Sequence, residues 1–213
     1  MSKLRLTLSM SLDGFVAGPR QDVDNPLGVG GMGLHEWMFR LAVWREQNGL
    51  EGGEVNESTP VFEASWADIG ATVMGRHMFG GGTGSWGDDP WTGWWGDDPP
   101  FHHPVFVLTH HAREPLVCDG GTTFTFVTDG IGSALEQATR AAAGKDVALA
   151  GGAAAARQYL HADLVDEMEI NVVPVFLGEG EWLFEGLGAD HPQLAHHRTV
   201  AAPGVTHIRF ARC

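Results

Sequence analysis

The stretch "DVALAGGAAAARQYL", residues 146–160, constrains the fold more than any other part of the chain. An apolar strand-like run ends on Gly151-Gly152, and an Ala-rich helical run begins at once. A buried strand passing through glycines straight into a helix is a typical connection of a parallel α/β sheet. A second junction of this form stands at "VMGRHMF", residues 73–79, where a strand delivers Gly75 and a helix starts near Arg76. Ligands of such sheets bind at the carboxyl ends of the strands.

The remaining segments extend the pattern. Residues 4–10, "LRLTLSM", alternate Leu4, Leu6, Leu8 and Met10 with polar residues, as in a strand with one buried face. The spacing Leu34, Trp37, Met38, Leu41, Trp44 predicts a single helix from Gly33 to Gln47, stopped at Gly49. "ESTPVFEASWADIG" predicts a helix capped by Ser58 or Thr59, with Pro60 in its first turn. Strands are expected at "ATVMGR", "PVFVLTHH", "TFTFVT" and "DEMEINVVPVF". The last is the longest, and Pro174 implies an edge position or a bulge. "GSALEQATRAAAGK" reads as a helix, and "QLAHHRTVAAPGVTHIRFAR" as a closing hairpin about Ala202-Pro203-Gly204. The 213 residues suit one domain, 1–213, carrying a Trp/Gly/Asp-rich loop at about 80–103. The expected class is α/β with three layers: a mainly parallel central sheet, helices on both faces, and a C-terminal antiparallel hairpin.

Charge narrows the partners. A formal net charge of −14 argues against nucleic acid or an anionic membrane, which need basic surface. An anionic small molecule remains compatible where the few basic residues gather. Apolar residues at 43% and charged residues at 19% describe a globular chain. Cys118 and Cys213 are too few for a disulfide framework or a zinc site. "MSKLRLTLSMSLDGF" lacks the apolar core of a signal peptide, and no apolar run is long enough to span a membrane. A reducing cytoplasm is the expected compartment.

Several motifs carry two readings each. At Gly75-Arg76, a helix N-terminus and a guanidinium suit phosphate, while a tight turn with a solvent-facing Arg explains the same residues. At Gly151-Gly152, absent Cβ atoms admit a diphosphate or simply close helix packing. "LTHHAR", residues 108–113, sets Thr109, His110, His111 and Arg113 at a third strand end, a basic cluster suited to an adenosine phosphate. A metal site with His102, His103 or the loop aspartates is the rival, weakened because neighbours on a strand face opposite sides. "GVGGMG" fits G-x-G-x-x-G through Gly28, Gly30 and Gly33, but polar "RQDVDNPL" precedes it, so it reads as a flexible glycine loop. Asp13, in an Asp-Gly turn, and Glu36, four residues before Arg40, are the carboxylates available for catalysis. A plain turn and an exposed ion pair are their structural readings.

"SWGDDPWTGWWGDDPP", residues 85–100, repeats Trp-Gly-Asp-Asp-Pro. Trp86, Trp91, Trp94 and Trp95 are too apolar to leave together in water. Their loop is expected to form an ordered wall over the substrate or against a partner subunit, with the aspartates on its wet face. A satellite cluster pinning a long loop to the core is the alternative. The carboxylate spacing does not suit a calcium loop.

Taken in order, "SLDGFVAG", "MGRHMF", "VFVLTHHAR", "LAGGAAAARQYL" and "LVDEMEINVVPVFLGEG" resemble the dihydrofolate reductase-like superfamily. They are closest to the branch containing the C-terminal reductase domain of riboflavin biosynthesis, the RibD C-terminal family. The resemblance covers nearly the whole chain and implies NADPH across the carboxyl ends of the sheet. It places Gly75, Arg76 and His77 at the cofactor phosphates, and Thr109, His110 and Arg113 at the adenosine phosphate. Gly151, Gly152, Ala153 and Ala154 would cradle the diphosphate, with a cis Gly151-Gly152 peptide. The backbone at Ser9, Val16 and Ala17 would hold the nicotinamide carboxamide. "LVDE", residues 164–167, matches the riboflavin branch better than the folate branch. Met78 stands where folate reductases usually carry Thr, Glu36 is the candidate for their first-helix carboxylate, and the tryptophan loop has no counterpart in them. No deaminase segment with a zinc signature precedes the match, so the resemblance is to the reductase part. Related domains are dimers, and strand 168–176 with the final hairpin is the expected homodimer surface.

The expected function is an NADPH-dependent reductase moving hydride to a small conjugated heterocycle, such as a pterin, pyrimidine or flavin-like ring. In such a site most of the work is placement, with one proton from a side chain or water. A nucleotide- or flavin-binding module without turnover, and a metal-dependent hydrolase, are the alternatives.

Overall fold

Short apolar strands alternate with helices through most of the chain, and the backbone pairs accordingly. The computed structural model describes residues 2–22, 24–82, 84–88, 90–188 and 193–213; Asp89 of the loop therefore lies outside the described residues. In chain order the elements are β1 (Leu4–Ser11), β2 (Phe15–Ala17), α1 (Glu36–Phe39), α2 (Ala42–Gln47), α3 (Ser58–Trp66), β3 (Ile69–Gly75) and α4 (Arg76–Phe79). After the loop come β4 (Pro104–Leu108), β5 (Leu116–Val117), β6 (Thr123–Val127), α5 (Gly130–Ala141), β7 (Asp146–Gly151) and α6 (Ala153–His161). The chain closes with β8 (Glu167–Val173), β9 (Glu181–Trp182), β10 (Leu194–Ala202) and β11 (Val205–Arg212). Among the described residues, nine strands form one sheet in the order β10-β11-β8-β1-β7-β3-β4-β6-β5, and β2 pairs with β9 in a second. From β8 to β6 the neighbours are parallel. The β10–β11 hairpin adds antiparallel strands at one edge. This is the three-layer α/β class with its C-terminal hairpin.

One face of the sheet carries Leu4, Leu6, Ala71, Val73, Val147 and Leu149 against Ala134 and Ala138 of α5 and Ala156, Tyr159 and Leu160 of α6. Small residues on both helices let their axes sit close to the strands. The opposite face is split. Met74, Val105, Val107, Phe124 and Phe126 form one apolar cluster there, and Leu34, Trp37, Leu41, Phe62, Val173 and Val205 form another.

A polar row borders the second cluster. Ser9, Asn171 and His207 are cross-strand neighbours on β1, β8 and β11. Trp37 Nε1 donates to Ser9 Oγ at 3.2 Å, and the Trp37 and His207 rings meet edge-on with centroids 4.9 Å apart. His207 is 1% exposed, with Nδ1 2.6 Å from Asn171 Oδ1 and Nε2 2.8 Å from Ser58 Oγ. Because Asn Oδ1 only accepts, the proton belongs on Nδ1, and Nε2 accepts from the Ser58 hydroxyl.

Several expectations need correction. The 33–47 stripe is broken into a 3-10 turn at Gly31–Leu34 and the separate helices α1 and α2, because Leu41 is extended (φ −68, ψ 135). Leu34, Trp37 and Leu41 are nevertheless buried. Helix α3 has Glu57 rather than Ser58 or Thr59 at its N-cap, with Pro60 in the first turn. β8 is neither the longest strand nor an edge: it pairs with β1 and β11 and ends at Val173, before the ring of Pro174 would remove a ladder donor. Met168 and Ile170 of β8 lie in the core, and β10 is the strand at the edge. The short strands β2, β5 and β9 were not anticipated, since two or three residues carry too little pattern.

Burial pushes the His207 imidazole down to about 4 from its ordinary 6.5, so it is neutral in the fold. The unfolded chain then takes up this proton first as pH falls. Stability is complete above pH 6.5 and declines between 6.5 and 4, by about 2 kcal/mol at pH 5 for this group. His35 and His103 shift the same way, each to about 4. Thermal unfolding at pH 7 and pH 5 should show a lower Tm in acid, and His207→Gln should shrink that difference. An undiminished difference would locate the acid sensitivity in other groups.

Candidate functional site

Parallel register brings three strand ends side by side. Met74 pairs with Gly151, and Gly75 with Leu108, so β7, β3 and β4 deliver their carboxyl ends to one edge. The Gly151-Gly152 peptide is cis. A Cβ on Gly75 would stand 3.1 Å from Ala155 Cβ, so this glycine serves close packing. A Cβ on Gly152 would meet nothing within 4 Å, so the neighbouring glycine faces open space. The amides of Ala155 and Ala156 donate to the Gly152 carbonyl at 3.1 and 3.0 Å. Those of Ala153 and Ala154 stand ahead of the helical ladder, at the positive end of α6.

Two arginines follow the neighbouring strands, Arg76 directly after β3 and Arg113 a few residues after β4. Arg76 is 8% exposed; its Nε donates to Gly80 O at 3.0 Å and its Nη2 to Gly81 O at 2.8 Å. Its Nη1 is buried and, among the described residues, has no hydrogen-bond partner. Arg113 Nη1 donates to Trp91 O at 2.5 Å. Burial, reinforced by Arg113, lowers the Arg76 guanidinium to about 10. The Trp86 ring touches both guanidiniums, with Arg76 Cζ 3.0 Å and Arg113 Cζ 4.8 Å from its centroid. Thr109 is buried and its Oγ1 accepts from the His111 amide at 3.2 Å, whereas His77 and His110 are exposed. β4 ends at Leu108, so the alternation argument against paired His110 and His111 does not apply.

The tryptophan loop closes over α4. This helix is a single turn, and most of its carbonyls lack helical donors. Trp94 Nε1 donates to Met78 O at 2.9 Å and Trp91 Nε1 to Phe79 O at 2.8 Å. Trp86 Nε1 donates to His111 O at 2.8 Å. Gly80 (φ +90) makes the approach possible, since a Cβ there would stand 2.6 Å from Trp94 Cζ2. Trp95 stacks on Phe124 at 5.9 Å and meets Phe101 edge-on at 5.0 Å. The loop thus completes the apolar cluster over β4 and β6, and its Trp86 ring and Trp91 carbonyl meet the arginines.

The family model described as the RibD C-terminal domain matches residues 2–206. The chain belongs to that family. No curated protein matches it at a significant level. Among solved structures, a candidate riboflavin biosynthesis protein from Shewanella sp. PV-4 superposes with a TM-score of 0.64 at 20% identity, covering 99% of both chains. RibD from Acinetobacter baumannii gives 0.59 at 17% identity, covering 100% of this chain and 58% of that one. The deaminase/5-amino-6-(5-phosphoribosylamino)uracil reductase from Thermotoga maritima gives 0.56 at 13%, covering 100% and 57%. These likenesses establish the fold, and this RibD C-terminal domain spans a little over half the length of the latter two.

At the end of β1, Ser9 is buried and tied to Trp37, while Val16 and Ala17 are buried on β2. Asp13 accepts from Ser11 Oγ at 2.6 Å, Leu177 N at 3.2 Å and Gly178 N at 2.7 Å. The Ser11 hydroxyl and these amides hold its carboxyl below the usual range. Glu36 is exposed and paired with Arg40 at 3.3 Å, the ion pair its spacing allows. "GVGGMG" has no strand before it; Gly18 N donates to Leu27 O and Val29 N to Pro19 O, so it is a backbone crossing tied down on both sides. Among the described residues no group of three or more His, Cys, Asp or Glu could hold a metal ion, and no helix is long and apolar enough to cross a membrane. The carbonyls of Met78, Phe79 and His111, which seat the tryptophans, were missed; the glycine run 80–82 behind a short helix was the available signal.

Gly80→Ala should lower stability by about 2 kcal/mol, because a side chain there is strained at positive φ and meets the Trp94 indole. Urea unfolding followed by tryptophan fluorescence measures this. Wild-type stability in the variant would mean that the loop can lift from α4 at no cost.

Proposed function

We propose that this RibD C-terminal domain is a reductase in riboflavin biosynthesis or a closely similar pathway, using NADPH to reduce a small conjugated heterocycle. One observation carries the reading: the open surface at Gly152 lies at the same strand edge as Arg76 and Arg113, within a chain of net charge −14. A diphosphate fits such a place. The α6 amides and the absent Cβ of Gly152 would receive it, with Gly75 and Ala153 forming the floor. Arg76, with its unbonded Nη1, and Arg113 with Thr109 would receive the adenosine phosphate. The backbone near Ser9, Val16 and Ala17 would hold the nicotinamide end. When bound, the reduced nicotinamide supplies a hydride.

The chain's own contribution is mainly placement. Ser9 cannot swing freely, because the Trp37 indole holds its hydroxyl. Asp13 is kept ionised by its hydrogen bonds, so in this reading it fixes the turn after β1 against residues 177–178 rather than releasing a proton. Glu36 is committed to Arg40 in solvent. Water is then the proton source in this proposal. The aminouracil in the name of the Thermotoga protein is a ring of the proposed substrate class. The edge strand β10 is where this reading places a homodimer contact.

Titration with NADPH, followed by nicotinamide fluorescence, should show binding at tens of micromolar or tighter, and no binding in that range would sink the proposal. Gly152→Val, which fills the open surface, should weaken binding at least about tenfold while far-UV circular dichroism stays native. Oxidation of NADPH with a panel of pterins, aminopyrimidines and flavins then separates turnover from binding alone.

A further inference from the structure

Arg76 and Arg113 stand out among the cations of this chain. Lys3, Arg5, Arg20, Arg40, Arg140, Arg157, Arg198, Arg209 and Arg212 all form ion pairs with carboxylates. Among the described residues four cations form none: Arg45, which donates to Glu51 O, exposed Lys145, and Arg76 and Arg113, which differ from the other two in facing the Trp86 ring as well as backbone carbonyls. Two like charges on one indole, in an acidic protein, form a site that attracts an anion. The buried Arg76 Nη1 has a hydrogen to give and, among the described residues, no acceptor. A guanidinium binds phosphate through in-plane pairs of N–H groups. On Arg76 the Nε hydrogen and one Nη2 hydrogen are engaged by Gly80 and Gly81, and Nη1 is sealed from solvent. An anion can reach it only if a covering group moves.

Trp86 is the group placed to move. It is half-buried in a stretch whose described neighbours Gly82, Gly84, Ser85, Gly87 and Asp88 are all exposed. Its fixed points are one hydrogen bond to His111 O and its ring contacts with Phe79, Phe126 and the two guanidiniums. Trp91 and Trp94, by contrast, are seated on α4 itself, and Trp95 is stacked in the apolar cluster. We propose that the Trp86 indole competes with phosphate for Arg76 and Arg113, so that a phosphate group of a nucleotide binds this site by displacing the ring. The inference rests on the anion-binding reading of these arginines, and it makes Trp86 a determinant of how tightly phosphate is held rather than a wall of the substrate pocket.

The test uses the intact chain and calorimetric titration with 2′-AMP, ADP and inorganic phosphate, which separate a ribose phosphate, a diphosphate and the bare anion. Trp86→Ala should bind 2′-AMP about fivefold more tightly than wild type, since the cation–π contacts of Arg76 and Arg113 with the indole no longer have to be given up. Trp86→Phe, which retains an aromatic ring against Phe79 and Phe126, should fall between the two and guards against loss of the fold. In wild-type protein labelled with 5-fluorotryptophan, 2′-AMP should shift the Trp86 resonance and leave that of Trp95 in place. Unchanged or weaker 2′-AMP binding in Trp86→Ala, or a stationary Trp86 resonance at saturation, overturns the competition. Arg113→Gln serves the underlying reading: it should weaken 2′-AMP binding at least about tenfold in either background. No binding of any of the three ligands to wild type or Trp86→Ala overturns the anion site itself.

Discussion

Parallel pairing of β7 with β3, and of β3 with β4, is the constraint on which the remaining architecture depends. Hydrogen-bonded strands lie about 4.8 Å apart, so three adjacent strands bring three chain ends into one small area. In this chain those ends carry Gly151-Gly152, Gly75-Arg76 and Thr109 with its basic tail. The helices must leave from the same edge to cover the faces, so the α6 N-terminus arrives there as well. Nothing at the site requires long-range search once the register is set. A slip of one residue would turn Met74 from its apolar cluster to the opposite face and carry Gly75 away from Ala155.

The tryptophan loop answers two needs created by that arrangement. The α4 turn is too short to satisfy its own carbonyls, and the indoles of Trp91 and Trp94 supply donors at Phe79 and Met78. Among the described residues no long helix packs on the sheet face bearing Phe124 and Phe126, and Trp95 with Phe101 covers part of that apolar surface. An indole suits both roles because it joins a large apolar body to one N–H donor. Gly80 and Gly81, ahead of the tryptophans, remove the side chains that would keep the Trp94 and Trp91 rings from the backbone. The satellite-cluster reading describes this packing well, although the cluster also holds the two arginines.

The parts of the fold legible in the sequence are those with strong local pattern. The strands at 69–75, 104–108, 123–127 and 146–151, the helices at 130–141 and 153–161, and the C-terminal hairpin all lie where apolar spacing and glycine punctuation put them. Leu34, Trp37 and Leu41 were legible as buried residues but not as parts of separate turns, because helical spacing survives a break that keeps the same face inward. Pro174 pointed to an edge, whereas the strand simply stops before it. The positions of Arg76 and Arg113 at the strand edge follow from their junctions. Their engagement by Trp86, Gly80 and Gly81 does not, because contacts between a long loop and a strand end have no signature in local spacing.

The distribution of charge then separates structural from ligand-directed cations. At the opposite end of the sheet, Lys3, Arg5 and Arg209 surround Glu167, and Arg198 pairs with Glu169. There each cation meets a carboxylate inside the fold. At the carboxyl ends, among the described residues, Arg76 and Arg113 meet carbonyl dipoles and aromatic faces, which stabilise a cation without neutralising it. Replacing either with an apolar residue would leave those carbonyls without a donor, whereas a nearby carboxylate would cancel the field a phosphate needs. Carbonyls and an indole therefore allow two guanidiniums to remain charged, close together and partly buried while leaving their charge available to an incoming anion.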